Sequence, residues 1–369
     1  MTLDQDFIDS LPRLTFYRGR VALYAILRAL GVGPGDSVVT QAFTCSAVPE
    51  AIIAAGARPA FADVAPGSVN AGAAELEAKC DETTKAVIVQ HTFGIPCEMG
   101  PVMEFTGKRG LPVVEDCCHT FASRLRGVPV GSFGVAAFTS YEWGKPVVCG
   151  LGGSAFVRDR ELYSRVETVW RGLPYPSPKQ LLKVELQYKA FRALYRPSRY
   201  WKLKRAFRRL SERGMAEGNY SAPGEVAEGF ALRMAPKLVE RLKATLPGAG
   251  RIVEHQAWVA QHYQGQVHST RIEPVAVPEG AEVAYARYPL LVDDKPALLA
   301  RAEEADVELA DWYTSPIQPL GPADFPKVGY TFGSCPNAEA LSKRIVSLPT
   351  NLRVGIEDVD RAIELLSGY

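Results

Sequence analysis

From Ser37 to Tyr141 the chain alternates short β-branched runs with stretches whose apolar positions recur at helical spacing. SVVTQ (37–41), ARPAFADV (57–64), KAVIVQH (85–91), LPVVED (111–116) and VAAFTSY (135–141) predict strands; SAVPEAIIAAG (46–56), AAELEAK (73–79) and MGPVMEFTGKRG (99–110) predict helices. Strands and helices interleaved in this way belong to an α/β fold with a mostly parallel, doubly wound sheet. Such sheets bind ligands beyond the carboxyl ends of their strands. Asp116, which closes LPVVED, and Lys145, which follows VAAFTSY, stand where chemistry is expected.

The pattern then changes. Between Lys179 and Arg213 the chain carries Lys183, Lys189, Arg192, Arg196, Arg199, Lys202, Lys204, Arg205, Arg208 and Arg209 against Glu185 and Glu212 alone. Lys189, Arg192, Arg196 and Arg199 have the spacing of one helical face, with Pro197 expected to break that helix. This basic excursion, about 175–228, reads as a solvated helical face or as an attractor of a phosphorylated substrate, an acidic membrane surface or nucleic acid. Beyond it FALRMAPKLVERLKATLPG (230–248), RIVEHQAWVAQHYQGQV (251–267) and KPALLARAEEADV (295–307) predict helices, and YARYPLLV (285–292) a strand. Glu357 and Asp358 fall in an early turn of the closing helix, where negative charge is favoured. The expected organisation is a large domain over 1–235, excursion included, and a smaller C-terminal α+β domain over 236–369.

A chain of 369 residues is long enough for two cores. Its formal net charge of +1 argues against a dedicated nucleic-acid partner, and no apolar run approaches the roughly 20 residues that span a bilayer. Stable membrane insertion is not expected. MTLDQDFIDSLPRL is acidic and has no apolar core, so a secretory leader is not expected and the cytoplasm is. The seven cysteines form no CxxC pair, and His91, His119, His255, His262 and His268 give no HxxxH or HExxH spacing. No metal site is expected, and most thiols are read as reduced and buried.

Lys145 lies in SYEWGKPVVCGLGG, between an aromatic pair and a glycine cluster. By position alone it is a loop lysine; in a desolvated site it is an amine that can capture a carbonyl. A pyridoxal phosphate enzyme needs that amine, an acid at the pyridine nitrogen, an anion cradle for the phosphate and packing against the ring. Asp116 suits the acid and His119 could reach the ring's phenolic oxygen, although singly they are as well read as a helix cap and a satisfied polar group. The cradle candidate is YRGRVAL (17–23), where Gly19 precedes the helix-forming ALYAILRAL. A helix N-terminus offers free N–H groups and the positive dipole end to a phosphate.

In this order the motifs resemble the DegT/DnrJ/EryC1/StrS family of fold type I, pyridoxal-phosphate-dependent sugar aminotransferases. The likeness runs through RGRVALYAILRALGVGPGDSVVTQAFTCSAVPEAIIAAGARPAFADV, VIVQHTFGIPCEM, VVEDCCHTFAS, GVPVGSFGVAAFTSYEWGKP, GLGG and CPNAEALSKRIVSLPTN, nearly the whole chain. It implies Lys145 as the Schiff-base lysine and proton shuttle, Asp116 at the pyridine nitrogen, and His119 near the phenolic oxygen. Ser140 and the backbone N–H groups around Gly19, Arg20 and Val21 would hold the phosphate, and Phe43, Thr44 and Cys45 would pack on the ring. Trp312 and Tyr313 are candidates for substrate selection, with packing as the competing reading.

The implied reaction is a ping-pong transfer of an amino group from an amino acid, usually L-glutamate, to a nucleotide-linked keto-sugar, an aminocyclitol precursor or a natural-product carbonyl. The resemblance also implies a homodimer with active sites near the subunit interface. Several positions depart from the family pattern. Arg20 and Val21 replace Thr-Ser in the cradle, Cys45 replaces an aromatic, Gly150-Leu-Gly-Gly153 replaces Gly-Glu-Gly-Gly, and Ala231 replaces the asparagine of GFNYRM. Arg20 could offer its guanidinium to the phosphate instead, and Leu151 is the expected seat of altered specificity. Two competing functions are a deoxysugar dehydratase on the same fold, against which Lys145 speaks because those enzymes carry histidine there, and a catalytically impaired regulatory protein.

Overall fold

The computed structural model describes residues 13–120, 122–213, 223–267 and 269–369; His268 and part of the excursion lie outside the described residues. Seven strands form the central sheet: β1 (Arg13–Phe16), β2 (Ser37–Gln41), β3 (Arg58–Ala62), β4 (Thr84–Gln90), β5 (Val113–Asp116), β6 (Ala136–Ser140) and β7 (Gly153–Val157). Their order is β1-β7-β6-β5-β4-β2-β3. The pairs β6/β5, β5/β4, β4/β2 and β2/β3 are parallel, and β1/β7 and β7/β6 are antiparallel. The sheet is thus mostly parallel, as the alternating pattern predicts.

Burial on both faces explains the near-continuous apolar strands. Val38, Ala86, Ile88 and Val114 face one layer with α1 (Gly19–Ala29), α2 (Ala47–Ala54) and α4 (Arg160–Gly172). Val39, Val87, Val89 and Val113 face the other, with Val102 and Phe105 of α3 (Met99–Arg109). Successive residues of a strand point to opposite faces. By that alternation Asp116 belongs to the α1 side of β5, and Glu115 to the α3 side.

The described part of the excursion holds two helices, α5 (Pro178–Leu194) and α6 (Tyr200–Glu212). Arg196 and Arg199 lie beyond the end of α5, because the chain turns at Pro197. The excursion is not simply a basic face meeting water. Lys202 and Lys204 pair with Asp306 and Asp311 at 2.9 and 3.0 Å, Arg205 pairs with Glu303, and Trp201 donates to the Val307 carbonyl at 2.8 Å.

Helix α7 (Pro236–Thr245) begins later than the sequence suggests. Phe230 to Met234 are extended or turned, since Arg233 bridges to Phe16 and Leu232 accepts the Tyr17 N–H at 3.0 Å. Pairing with an edge strand here overrides the helix preference of Ala, Leu and Met. Helix α8 (Ala249–Gln266) then leads into a three-stranded antiparallel sheet of β8 (Ile272–Pro274), β9 (Arg287–Val292) and β10 (Ile345–Pro349), in the order β8-β9-β10. It packs on α8, α9 (Lys295–Glu304) and α11 (Ile356–Ser367), with α10 (Pro336–Arg344) preceding β10. This is the α+β C-terminal unit. Among the described residues no helix is long and apolar enough to cross a membrane.

Candidate active site

The site begins with a close approach. Helix α1 is buried on nearly every side, which fixes its N-terminus against the carboxyl end of β6. A Cβ on Gly19 would lie 3.0 Å from Ser140 Cβ and 3.1 Å from the Thr139 carbonyl oxygen, and one on Gly153 would lie 2.5 Å from Gly19 Cα. Only glycine at both places lets the helix start here. The positive end of α1 therefore opens beside Ser140.

Around this end lies a cleft with roughly 730 Å³ of atom-free space, open solvent at its mouth included. Its lining includes Gly19, Arg20, Cys45, Asp116, His119, Ser140, Lys145, Trp312 and Tyr313. Val21 stands apart from them. Its side chain is buried in the core, and its N–H donates to the Arg18 carbonyl at 3.1 Å. Phe43 turns its ring onto Tyr313, 4.9 Å between centroids, and Thr44 donates to Gln90 Oε1 at 2.6 Å, so of that segment Cys45 is the residue facing the cleft.

Asp116 is buried, and its Oδ1 accepts the Cys118 N–H at 2.9 Å. Burial raises its carboxyl above the ordinary value, opposed by that N–H and by the charge of Lys145. It is a carboxylate short of positive partners. His119 accepts the Phe93 N–H on Nδ1 at 3.1 Å, and burial, reinforced by Lys145, holds its pKa well below the ordinary value. The ring is therefore neutral with its proton on Nε2, which lies 3.5 Å from the Tyr313 hydroxyl. Trp312 stacks on His119 with 6.0 Å between centroids and a 15° interplanar angle, and Lys145 Nζ lies 5.6 Å from the Trp312 ring centroid.

Arg20, in place of a cradle hydroxyl residue, is ion-paired with Glu50 of α2. Burial works against its charge, but Glu50 and Glu142 more than offset this and raise its pKa. Arg18 pairs with Glu142 at 3.1 Å. Leu151 is a correction to the sequence reading: it packs with Tyr141, Val147 and Val184, away from the lining of the cleft.

Sequence reasoning missed Gln90, Cys118, Glu142 and Trp143, all of which line the cleft. Glu142 and Trp143 could have been found from their place between Ser140 and Lys145. The support behind Trp143 could not: Tyr188 and Phe191 of α5 lie 6.1 and 4.6 Å from it, centroid to centroid.

A second cluster lies on the opposite face of β5, where His91, Glu115 and Cys117 bring ligand atoms within 4.8 Å of one another. It does not have the character of a metal centre. Glu115 accepts from His91 Nε2 at 3.1 Å and from the N–H groups of Gly131, Phe133 and Gly134 at 2.7, 2.8 and 2.7 Å, and His91 Nδ1 accepts the Cys97 N–H. All seven cysteines are free thiols, four of them buried.

The cleft fits pyridoxal phosphate on three structural grounds. A helix N-terminus is held open by Gly19, the buried carboxylate of Asp116 has no cationic partner in contact among the described residues, and Lys145 lines the same cleft.

The profile of the DegT/DnrJ/EryC1/StrS aminotransferase family matches residues 5–190 and 196–367. The spore coat polysaccharide biosynthesis protein SpsC of Bacillus subtilis (strain 168) is 29% identical over 352 residues, 93% of this chain and 81% of that protein. GDP-perosamine synthase of Escherichia coli O157:H7 is 36% identical over 151 residues, 41% of this chain and 42% of that protein. Among solved structures, the aminotransferase TlmJ from Streptoalloteichus hindustanus superposes with a TM-score of 0.75 at 24% identity, covering 98% of this chain and 88% of that one. This likeness carries the fold, and the profile match over most of the chain carries the family. The chain belongs to the DegT/DnrJ/EryC1/StrS aminotransferase family and is a pyridoxal-phosphate-dependent aminotransferase of fold type I.

Proposed function

We propose that this protein transfers the amino group of L-glutamate to a nucleotide-linked keto-sugar in a ping-pong reaction. The observation that carries the reading is the convergence of Gly19, Asp116, His119, Ser140 and Lys145 on one cleft from three separate stretches of the chain. Among the similar proteins, GDP-perosamine synthase and a UDP-2-acetamido-2-deoxy-3-oxo-D-glucuronate aminotransferase of Pseudomonas aeruginosa are named for nucleotide sugars.

When bound, pyridoxal phosphate supplies an electron sink for a carbanion adjacent to nitrogen. The residues of the chain do the rest. The N–H groups of Gly19 and Arg20 and the Ser140 hydroxyl bind the phosphate at the helix N-terminus, and the Arg20–Glu50 pair places a guanidinium beside them. Asp116 holds a proton at the ring nitrogen, and His119 offers Nε2–H to the ring oxygen. Lys145 Nζ anchors the cofactor and then moves the proton from the donor's α-carbon. Trp312 and Tyr313 face the substrate. Donor and acceptor reach the same lysine through the same cleft, so they enter in turn. We propose a homodimer with this cleft near the subunit interface, and a boundary between the large and small domains near residue 235.

The test uses the purified protein loaded with pyridoxal phosphate. L-Glutamate should shift the visible band to that of the pyridoxamine form, and a UDP- or GDP-linked keto-sugar should restore it. Restoration by a cyclitol ketone alone would move the acceptor to the aminocyclitol class, for which the L-glutamine:scyllo-inosose aminotransferase of Streptomyces griseus, 31% identical over 162 residues, is a precedent. Lys145→Ala should abolish the borohydride-reducible linkage, and full activity in that variant would refute the assignment.

A further inference from the structure

Lys295 is the first residue of α9, where a positive charge meets the positive end of a helix dipole. Its side chain is buried. Nζ donates to three backbone carbonyls: Asp311 at 3.2 Å, Tyr313 at 2.8 Å and Ser342 at 2.9 Å. An ammonium has three protons to give, and here each has an acceptor. Ser342 belongs to the last turn of α10, whose terminal carbonyls have no partner within the helix and form its negative end. The other two carbonyls belong to Asp311 and Tyr313, the residues on either side of Trp312.

We infer that Lys295 is a positioning residue of the active site, fastening both sides of Trp312 to the C-terminal end of α10 and so setting Trp312 and Tyr313 against His119 and Lys145. The inference rests on the reading that Trp312 and Tyr313 face the substrate. A cation suits this task because one group satisfies three carbonyls that would otherwise be buried with fewer donors. Two charged groups act on it. Asp311 lies on the fastened segment itself, and Lys204 of α6 is ion-paired with Asp311 at 3.0 Å. Helix α10 contributes the Ser342 carbonyl. Burial lowers the Lys295 pKa to about 8, opposed by Asp311 and assisted by Lys204. Below that pH the ammonium holds all three carbonyls; above it a neutral amine has two N–H groups for three acceptors.

The experiment follows the single-turnover reaction of the full-length holoenzyme with L-glutamate, and the visible circular dichroism of the bound cofactor. Lys295→Met should raise the half-saturating glutamate concentration about fivefold, the scale of one lost hydrogen bond, and weaken the dichroic band, with the limiting rate nearly unchanged. Trp312→Ala should produce the same kind of shift, and the double variant should be no worse than Trp312→Ala alone. Lys295→Arg, charged at every working pH, should retain most of the affinity and lose the rise in half-saturation that the unmodified protein shows above about pH 8.

A folded Lys295→Met with unchanged half-saturation and dichroism overturns the role of Lys295, as does an effect that adds in full to Trp312→Ala. If Lys295→Met does not fold, a pH profile that is flat, or identical in Lys295→Arg, overturns it equally. Trp312→Ala silent in both readouts removes Trp312 from the substrate site, a separate failure from that of Lys295.

Discussion

Glu115 and Asp116 are adjacent carboxylates on one strand, both buried, and they face opposite sides of the sheet. Glu115 is saturated, taking His91 and three loop N–H groups that shape the turn over Gly131–Gly134. Asp116 takes the N–H and the thiol of Cys118 and otherwise faces the cleft that holds Lys145. The contrast separates structure from chemistry. A carboxylate whose lone pairs are filled by the fold organises a loop, and one left short of positive partners is available to a ligand.

Substitution should split the two sharply. Asp116→Ala should lower kcat by about 10³-fold, within the range for losing a group that controls proton transfer, while the borohydride-reducible link to Lys145 persists. The melting temperature of Asp116→Asn should change little. Glu115→Ala should do the reverse: it strands three buried N–H groups and should cost about 3 kcal/mol or more in stability, read by urea denaturation. Any folded fraction should keep its cofactor-binding spectrum. A Glu115→Ala protein of normal stability would erase the distinction.

Two smaller effects sharpen it. Leu151→Ala should destabilise the fold by roughly 2–3 kcal/mol, as for a core truncation, and leave the ratio of kcat/KM between competing acceptors unchanged. A changed ratio would return Leu151 to the substrate site. His119 gives the pH test. Its folded pKa lies below its ordinary value, so it stays neutral as pH falls through the usual imidazole range, and kcat/KM should show no limb near pH 6.5 from this residue. His119→Gln, which keeps an N–H donor and an acceptor, should lose less than about tenfold in kcat/KM.

The strands and helices of the parallel sheet were legible because their signals are local: VIVQ and VVED read as strands wherever they occur, and the helices between them show their own spacing. The candidate site was legible as an order of motifs, Gly19 before Asp116 before Ser140 and Lys145, which the fold brings to one cleft. Where local preference met a distant partner, it failed. Phe230–Met234 has helix-forming residues yet pairs with Phe16. The basic excursion looked like a free cationic surface, yet part of its charge is paired with Glu303, Asp306 and Asp311 about a hundred residues later.

The sequence alone determined the α/β class, the strand that ends at Asp116, the strand that ends shortly before Lys145, and the residue types suited to a phosphate, a pyridine nitrogen and a carbonyl. Those follow from periodicity and from side-chain chemistry, which travel with the chain. Only the tertiary structure decided that Leu151 is core, that Trp143 leans on α5, that Glu115 is spent on a loop while Asp116 is not, and that Lys295 reaches the Trp312 segment. Each depends on which partners, remote in sequence, fill a group's hydrogen bonds or cover its surface, and such partners are fixed only when the elements pack.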